Sequence, residues 1–105
     1  MTTLQPARTV ETVLFKLVPD ADPEAFRSAS ALVTRFVEQR PGFIARRLSH
    51  TEDGIWIEHI EWASLAEAQA AAAAIGTEES LAEFMTAIDG PSVQLFHSTL
   101  DISVN

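Results

Sequence analysis

Cysteine and tyrosine are absent from this chain of 105 residues, asparagine occurs once, and 7 basic residues stand against 15 acidic ones. Without cysteine there is no disulfide frame, no thiolate nucleophile and no zinc-thiolate site, and the chain carries no mark of an oxidising compartment. The formal net charge of −8 sets up a field that opposes phosphate backbones and anionic headgroups, so neither nucleic acid nor a membrane surface is an expected partner. No apolar run approaches the roughly 20 residues that span a bilayer, and the opening MTTLQPARTVE lacks an apolar signal core. Cytoplasm is the expected location. No glycine-rich phosphate loop, Ser-His-Asp order signature or nucleophile elbow is present, which leaves covalent catalysis without a candidate.

What is there points to a globular domain. The hydrophobic content of 47% allows a core, but at this length a monomer buries only about two thirds of its unfolded surface, so a partner chain would matter. Residues 1–9 read as a flexible N-terminal segment and 10–105 as one domain. TVETVLFKLV is rich in β-formers and is closed by Pro19. Asp22 can cap a helix that has Pro23 at its first position and Glu24 in its first turn, and Phe26, Ala29, Val33, Phe36 and Val37 form its apolar stripe. Pro41 and Gly42 end that helix before a second strand, FIARRLSH. Asp53-Gly54 then joins it to a third strand as a hairpin. Ser64 and Glu67 form a capping box for a second helix, which Gly76 interrupts and which restarts through Leu81, Phe84, Met85 and Ile88. SVQLFHSTLDI is the last strand. The order β-α-β-β-α-β with short connections predicts an α+β, ferredoxin-like fold with a four-stranded antiparallel sheet.

Strand residues alternate faces. Val13, Phe15 and Leu17 oppose Leu14 and Val18; Ile55 and Ile57 oppose Trp56, Ile60 and Trp62; Val93 and Leu95 oppose Phe96, Leu100 and Ile102. Two helices cover one face of such a sheet, so apolar side chains on the other require a cover. A twofold homodimer with sheets packed face to face is the simplest closed solution.

Among polar residues, His59 and Glu61 share a strand face while Glu58 lies with the tryptophans, and Arg46 and Arg47 on the hairpin partner supply one cation per face. An arginine–glutamate pair would resolve the burial of a carboxylate without catalytic meaning. Alternatively, Glu61 or Glu58 orients His59 as a general base, or Arg47 holds an anionic substrate. His97 could join His59, but in this topology the first strand separates theirs, about 10 Å apart, and no metal is expected. Trp56 and Trp62 face an alanine-rich helix. Either they fill the core against small residues, or the alanines leave a slot for a flat apolar ligand lined also by Phe36, Phe84 and Met85.

The stretches LFKLVPDADPEAF, QRPGFIARRLS, EDGIWIEHIEWASLAEAQAA and LAEFMTAID resemble the antibiotic biosynthesis monooxygenase-like family of the dimeric α/β barrel superfamily, with EWAS the most telling piece. The resemblance runs from about Val10 to Leu100. It implies a dimeric α/β barrel and, for some members, quinone-forming oxygenation of phenols without metal or flavin. Haem-degrading members use a histidine and a tryptophan in the second helix, where this chain has Met85 and alanines, so no haem and no other cofactor is expected. Trp62 is a candidate match for a family tryptophan. The tyrosine and asparagine that phenol oxygenases place around their ligand have no counterpart, Asn105 being terminal.

Two functions follow. One is a cofactor-independent oxygenase of an aromatic or phenolic substrate, its pocket between sheet and helices, with His59 or His97 as base, Arg47 and Glu61 beside it and Trp62 as a wall. The other is a noncatalytic homodimer that binds an apolar or aromatic small molecule or serves as an accessory module supporting another protein. The first requires a preformed, enclosed cavity with a histidine in hydrogen-bond reach, whereas in the second that space is filled by Trp56, Trp62 and Phe36.

Overall fold

A computed structural model describes residues 7–104. Its elements are β1 (Thr9–Phe15), α1 (Pro23–Glu38), β2 (Phe43–His50), β3 (Trp56–Trp62), α2 (Leu65–Ile75), α3 (Ala82–Thr86) and β4 (Gln94–Thr99), with single 3-10 turns at Glu79–Leu81 and Gly90–Ser92. The sheet order is β2-β3-β1-β4, antiparallel throughout, which is the expected ferredoxin-like arrangement. Residues 1–6 of the segment expected to be flexible lie outside the described residues. Its last residue, Thr9, is already paired with Trp62 and Thr99.

Local chemistry explains the helix boundaries. The Asp22 carboxylate accepts the Glu24 N–H at 3.1 Å ahead of Pro23. The Ser64 hydroxyl accepts the Glu67 N–H at 3.2 Å and donates to the Glu67 carboxylate at 2.9 Å. Gly76 ends α2, and the expected continuation is broken: a 3-10 turn precedes the short α3. Two strands are shorter than their apolar runs. Beyond Phe15 the chain leaves the sheet, keeping only a bridge from Leu17 to Ile88, and β4 stops at Thr99. Gly54 has φ +89°, the left-handed turn that Asp-Gly announces.

The pairing register assigns the two faces. Trp56, Glu58, Ile60 and Trp62 lie with Phe15, Val13, Glu11 and Thr9 beneath the helices. There they meet Phe26, Ala29, Val33 and Val37 of α1, Ala68 and Ala71 of α2, Leu81 and Phe84 in one core. The opposite face carries Val10, Thr12, Leu14, Ala45, Arg47, Ser49, Ile57, His59, Glu61, Gln94, Phe96 and Ser98. It is more mixed than the alternation suggested, because β2 contributes Arg47 and Ser49 and β4 contributes Gln94 and Ser98. Phe96 is nevertheless 53% exposed on it. No helix among the described residues is long and apolar enough to cross a membrane.

Candidate functional site

The space between sheet and helices is filled. Trp62 is 1% exposed and meets Phe43 edge-on at 5.9 Å; Phe26 stacks on Phe84 at 4.5 Å and meets Trp56 edge-on at 4.9 Å. Phe36 packs against this cluster from one side and carries the Arg40 guanidinium 5.8 Å above its ring. Met85 is exposed rather than part of a wall. Large rings opposite alanines therefore complete a core in the way close packing requires, and the five residues expected to line a ligand slot do not enclose one. Phe26 lies at the centre of the aromatic group. Its place on the α1 stripe marked it as a core residue, with no sign of its central position.

The polar candidates divide between faces. On the helix side Arg46 donates to both Glu58 carboxylate oxygens, at 3.0 and 2.8 Å, and also to the Ser30 carbonyl and the Thr34 hydroxyl. Burial raises the Glu58 carboxyl above its ordinary value, against the opposing pull of Arg46. This is the bland pairing that the sequence allowed. His97 is on the helix side too, its Nε2 2.9 Å from a Glu11 carboxylate oxygen. His59 faces the other way. The two histidines thus share no site.

His59, Arg47 and Glu61 come together on the open face, in a cleft of about 530 Å³. Arg47 and His59 are register partners across β2 and β3. The apolar side of the cleft is Ile44, Ala45 and the chain after β4, with Leu100, Ile102 and Val104. That chain is pinned where the Leu100 N–H donates to the Arg8 carbonyl at 2.9 Å. Arg8 also donates to Glu61 at 2.8 Å. So Glu61 does not orient His59, whose Nδ1 is buried without a partner among the described residues. Arg8 and the tail are what the sequence reading missed. Arg8 sits in a stretch without periodicity, 53 residues from its partner, and no sequence signal marks that pairing. A smaller space of about 180 Å³, between the start of α1 and α3, is flanked by Asp20, Asp22 and Glu83 and holds no histidine.

No family model matches the sequence, and no curated protein does. Solved structures do match, over nearly the full length. SnoaB, a cofactor-independent oxygenase from Streptomyces nogalater, superposes with a TM-score of 0.64 at 17% identity, covering 94% of this chain and 96% of that one. The monooxygenase ActVA-Orf6 of Streptomyces coelicolor, solved with Nanaomycin D, gives 0.65 at 17% identity, with 95% and 93% covered. A candidate antibiotic biosynthesis monooxygenase from Bordetella bronchiseptica gives 0.74 at 12% identity, with 91% and 99% covered. The chain shares the ferredoxin-like fold of these structures. At these identities the likeness is one of fold, and within that fold the tryptophans of this chain belong to the core while His59 and Arg47 open onto the far side of the sheet.

Proposed function

We propose that the protein is a homodimeric small-molecule-binding domain on the monooxygenase fold, with its ligand in the open-face cleft. One observation carries the reading: the space under the helices is full, whereas the cleft beside His59 and Arg47 is open and apolar on one side. Its volume falls in the range of about 300–1,000 Å³ common for small ligands. Phe96, Ile102 and Val104, at 53%, 80% and 87% exposure, give a reason for a second copy to cover the same side of the sheet.

Cofactor-independent oxygenation is the second reading, supported by the fold shared with SnoaB and ActVA-Orf6. In it His59 takes the proton of a phenol, and dioxygen oxidises the ring to a quinone with release of water. Binding without turnover is preferred because a general base is ordinarily held by a third group, and neither carboxylate near His59 does this. Glu61 is paired with Arg8, and Glu58 is paired with Arg46 on the other face.

Sedimentation of the full chain, with thermal shift and oxygen uptake in the presence of naphthols and hydroxyquinones, tests both readings. The binding domain predicts a mass of two chains and a raised melting temperature without oxygen uptake. Uptake lost in H59A would establish the oxygenase. A single-chain mass with no thermal shift would reject both.

A further inference from the structure

We infer that the ligand of the open-face cleft is an organic monoanion, a carboxylate carried on an apolar body, anchored by Arg47. This rests on the open-face cleft being the binding site.

Charge inside the cleft is the starting point. Four groups there can carry charge: Arg8, Arg47, His59 and Glu61. Arg8 and Glu61 neutralise each other at 2.8 Å. Among the described residues Arg47 has no hydrogen bond or ion pair, so its guanidinium is the positive charge that no carboxylate lining the cleft answers. The chain around it carries −8. A dianion would leave one charge uncompensated in that negative field, whereas a monoanion matches the single guanidinium.

Geometry narrows the class further. Arg47 stands beside His59 across the strand pair, and a planar guanidinium offers two parallel donors to a carboxylate. The imidazole adds a third possible donor when its proton is on the nitrogen facing the cleft. Ile44 and Leu100 supply an apolar wall away from these donors, which suits a ring or a short hydrocarbon rather than a sugar or a free amino acid. A second copy packed on this side would remove water from the cleft and strengthen the pull of Arg47 on the anion.

Titration calorimetry with 2-naphthoate, its neutral counterpart 2-naphthamide and the dianionic 2-naphthyl phosphate tests the inference on the full chain. Naphthoate should bind about tenfold more tightly than either of the others, the worth of a hydrogen bond to a charged partner. R47Q should remove that preference and leave naphthamide binding unchanged, R47K should restore part of it, and naphthoate affinity should fall with added salt. Arg47 is exposed, so R47Q keeps the wild-type melting temperature as a check on folding. Equal binding of naphthoate and naphthamide, with I44D weakening both, would overturn the anion and leave the cleft standing. Probe binding unaffected by I44D, or no binding at all, would overturn both. Dissociation of the dimer by R47Q would show that a carboxylate of the second copy answers Arg47, and would also overturn the inference.

Discussion

Arg46 and Glu58 face each other under the helices, their side chains almost wholly enclosed and joined by two hydrogen bonds of 2.8 and 3.0 Å. Desolvation of two charges is offset only while both stay paired. R46M should therefore cost about 3–5 kcal/mol in urea unfolding, and R46M/E58L should recover most of it. The pH dependence has a defined sign. Burial holds the Glu58 carboxyl above its ordinary value, so the folded state keeps that proton more tightly than the unfolded chain. Its stabilising contribution is full below the ordinary carboxylate range and is lost as pH rises through the raised value. Without Arg46 the elevation grows, and the gap between R46M and wild type should widen from pH 5 to pH 8. An equal gap at both values would mean that Glu58 is not a buried acid.

Gly42 and Glu67 form a second linkage. Gly42 has φ +83°, and a Cβ there would collide with the Glu67 carboxyl group that closes the capping box of α2. The Gly42 carbonyl also accepts the Ala63 N–H at 2.8 Å, tying the end of α1 to the start of α2. G42A should destabilise by about 1–3 kcal/mol through backbone strain and displacement of Glu67. S64A should cost about 1 kcal/mol through the lost cap. Because G42A already disturbs the box, the pair G42A/S64A should lose less than the sum, which a double-mutant cycle in urea would measure.

The tryptophans offer a direct check on whether the helix side holds a core or a ligand slot. Trp62 has almost no exposed surface, and its indole Nε1 is buried without a partner among the described residues. W62A should cost about 3–5 kcal/mol as a cavity-forming change. W62F should cost much less, since no hydrogen bond is lost and one unsatisfied donor is removed. If W62A left thermal stability unchanged while abolishing ligand binding, Trp62 would be a slot residue and the core assignment would fail.

How much of this was legible in the sequence depended on the range of the interaction. Asp22 with Pro23, Ser64 with Glu67, and Asp53 with Gly54 act within a few residues, and each sits where its spacing indicated. Face assignment was equally local, since alternation alone separates Trp62 from His59. Whether the tryptophans filled the space or lined it depended on Phe26 closing over Trp56 and Phe43 over Trp62, a three-dimensional volume question that spacing does not answer. Arg8 with Glu61 is a contact between distant segments, and the tail and Ile44 line one cleft from distant segments without periodic patterns. They decide the cleft, which is why the fold could be read from the sequence and the site only in part.

Phe96 is the exposed aromatic of the open sheet face. It lies on β4 opposite Thr12, on the side of the sheet that no helix among the described residues covers, with about half its surface in water. An exposed aromatic among Val10, Leu14 and Ile57 is the kind of anchor that dominates an interface once a partner excludes water around it. F96D should weaken the proposed dimer by about 2 kcal/mol or more, roughly 30-fold in Kd, because a carboxylate would then be desolvated without a counterion. The fold of each chain should survive, since the substitution touches none of the core under the helices. Sedimentation equilibrium with circular dichroism separates these effects: a single-chain mass with intact secondary structure is expected for F96D at concentrations where the wild type is dimeric. A variant that kept the two-chain mass would place the contact elsewhere on the molecule, and the open sheet face would lose its claim to be the covered one.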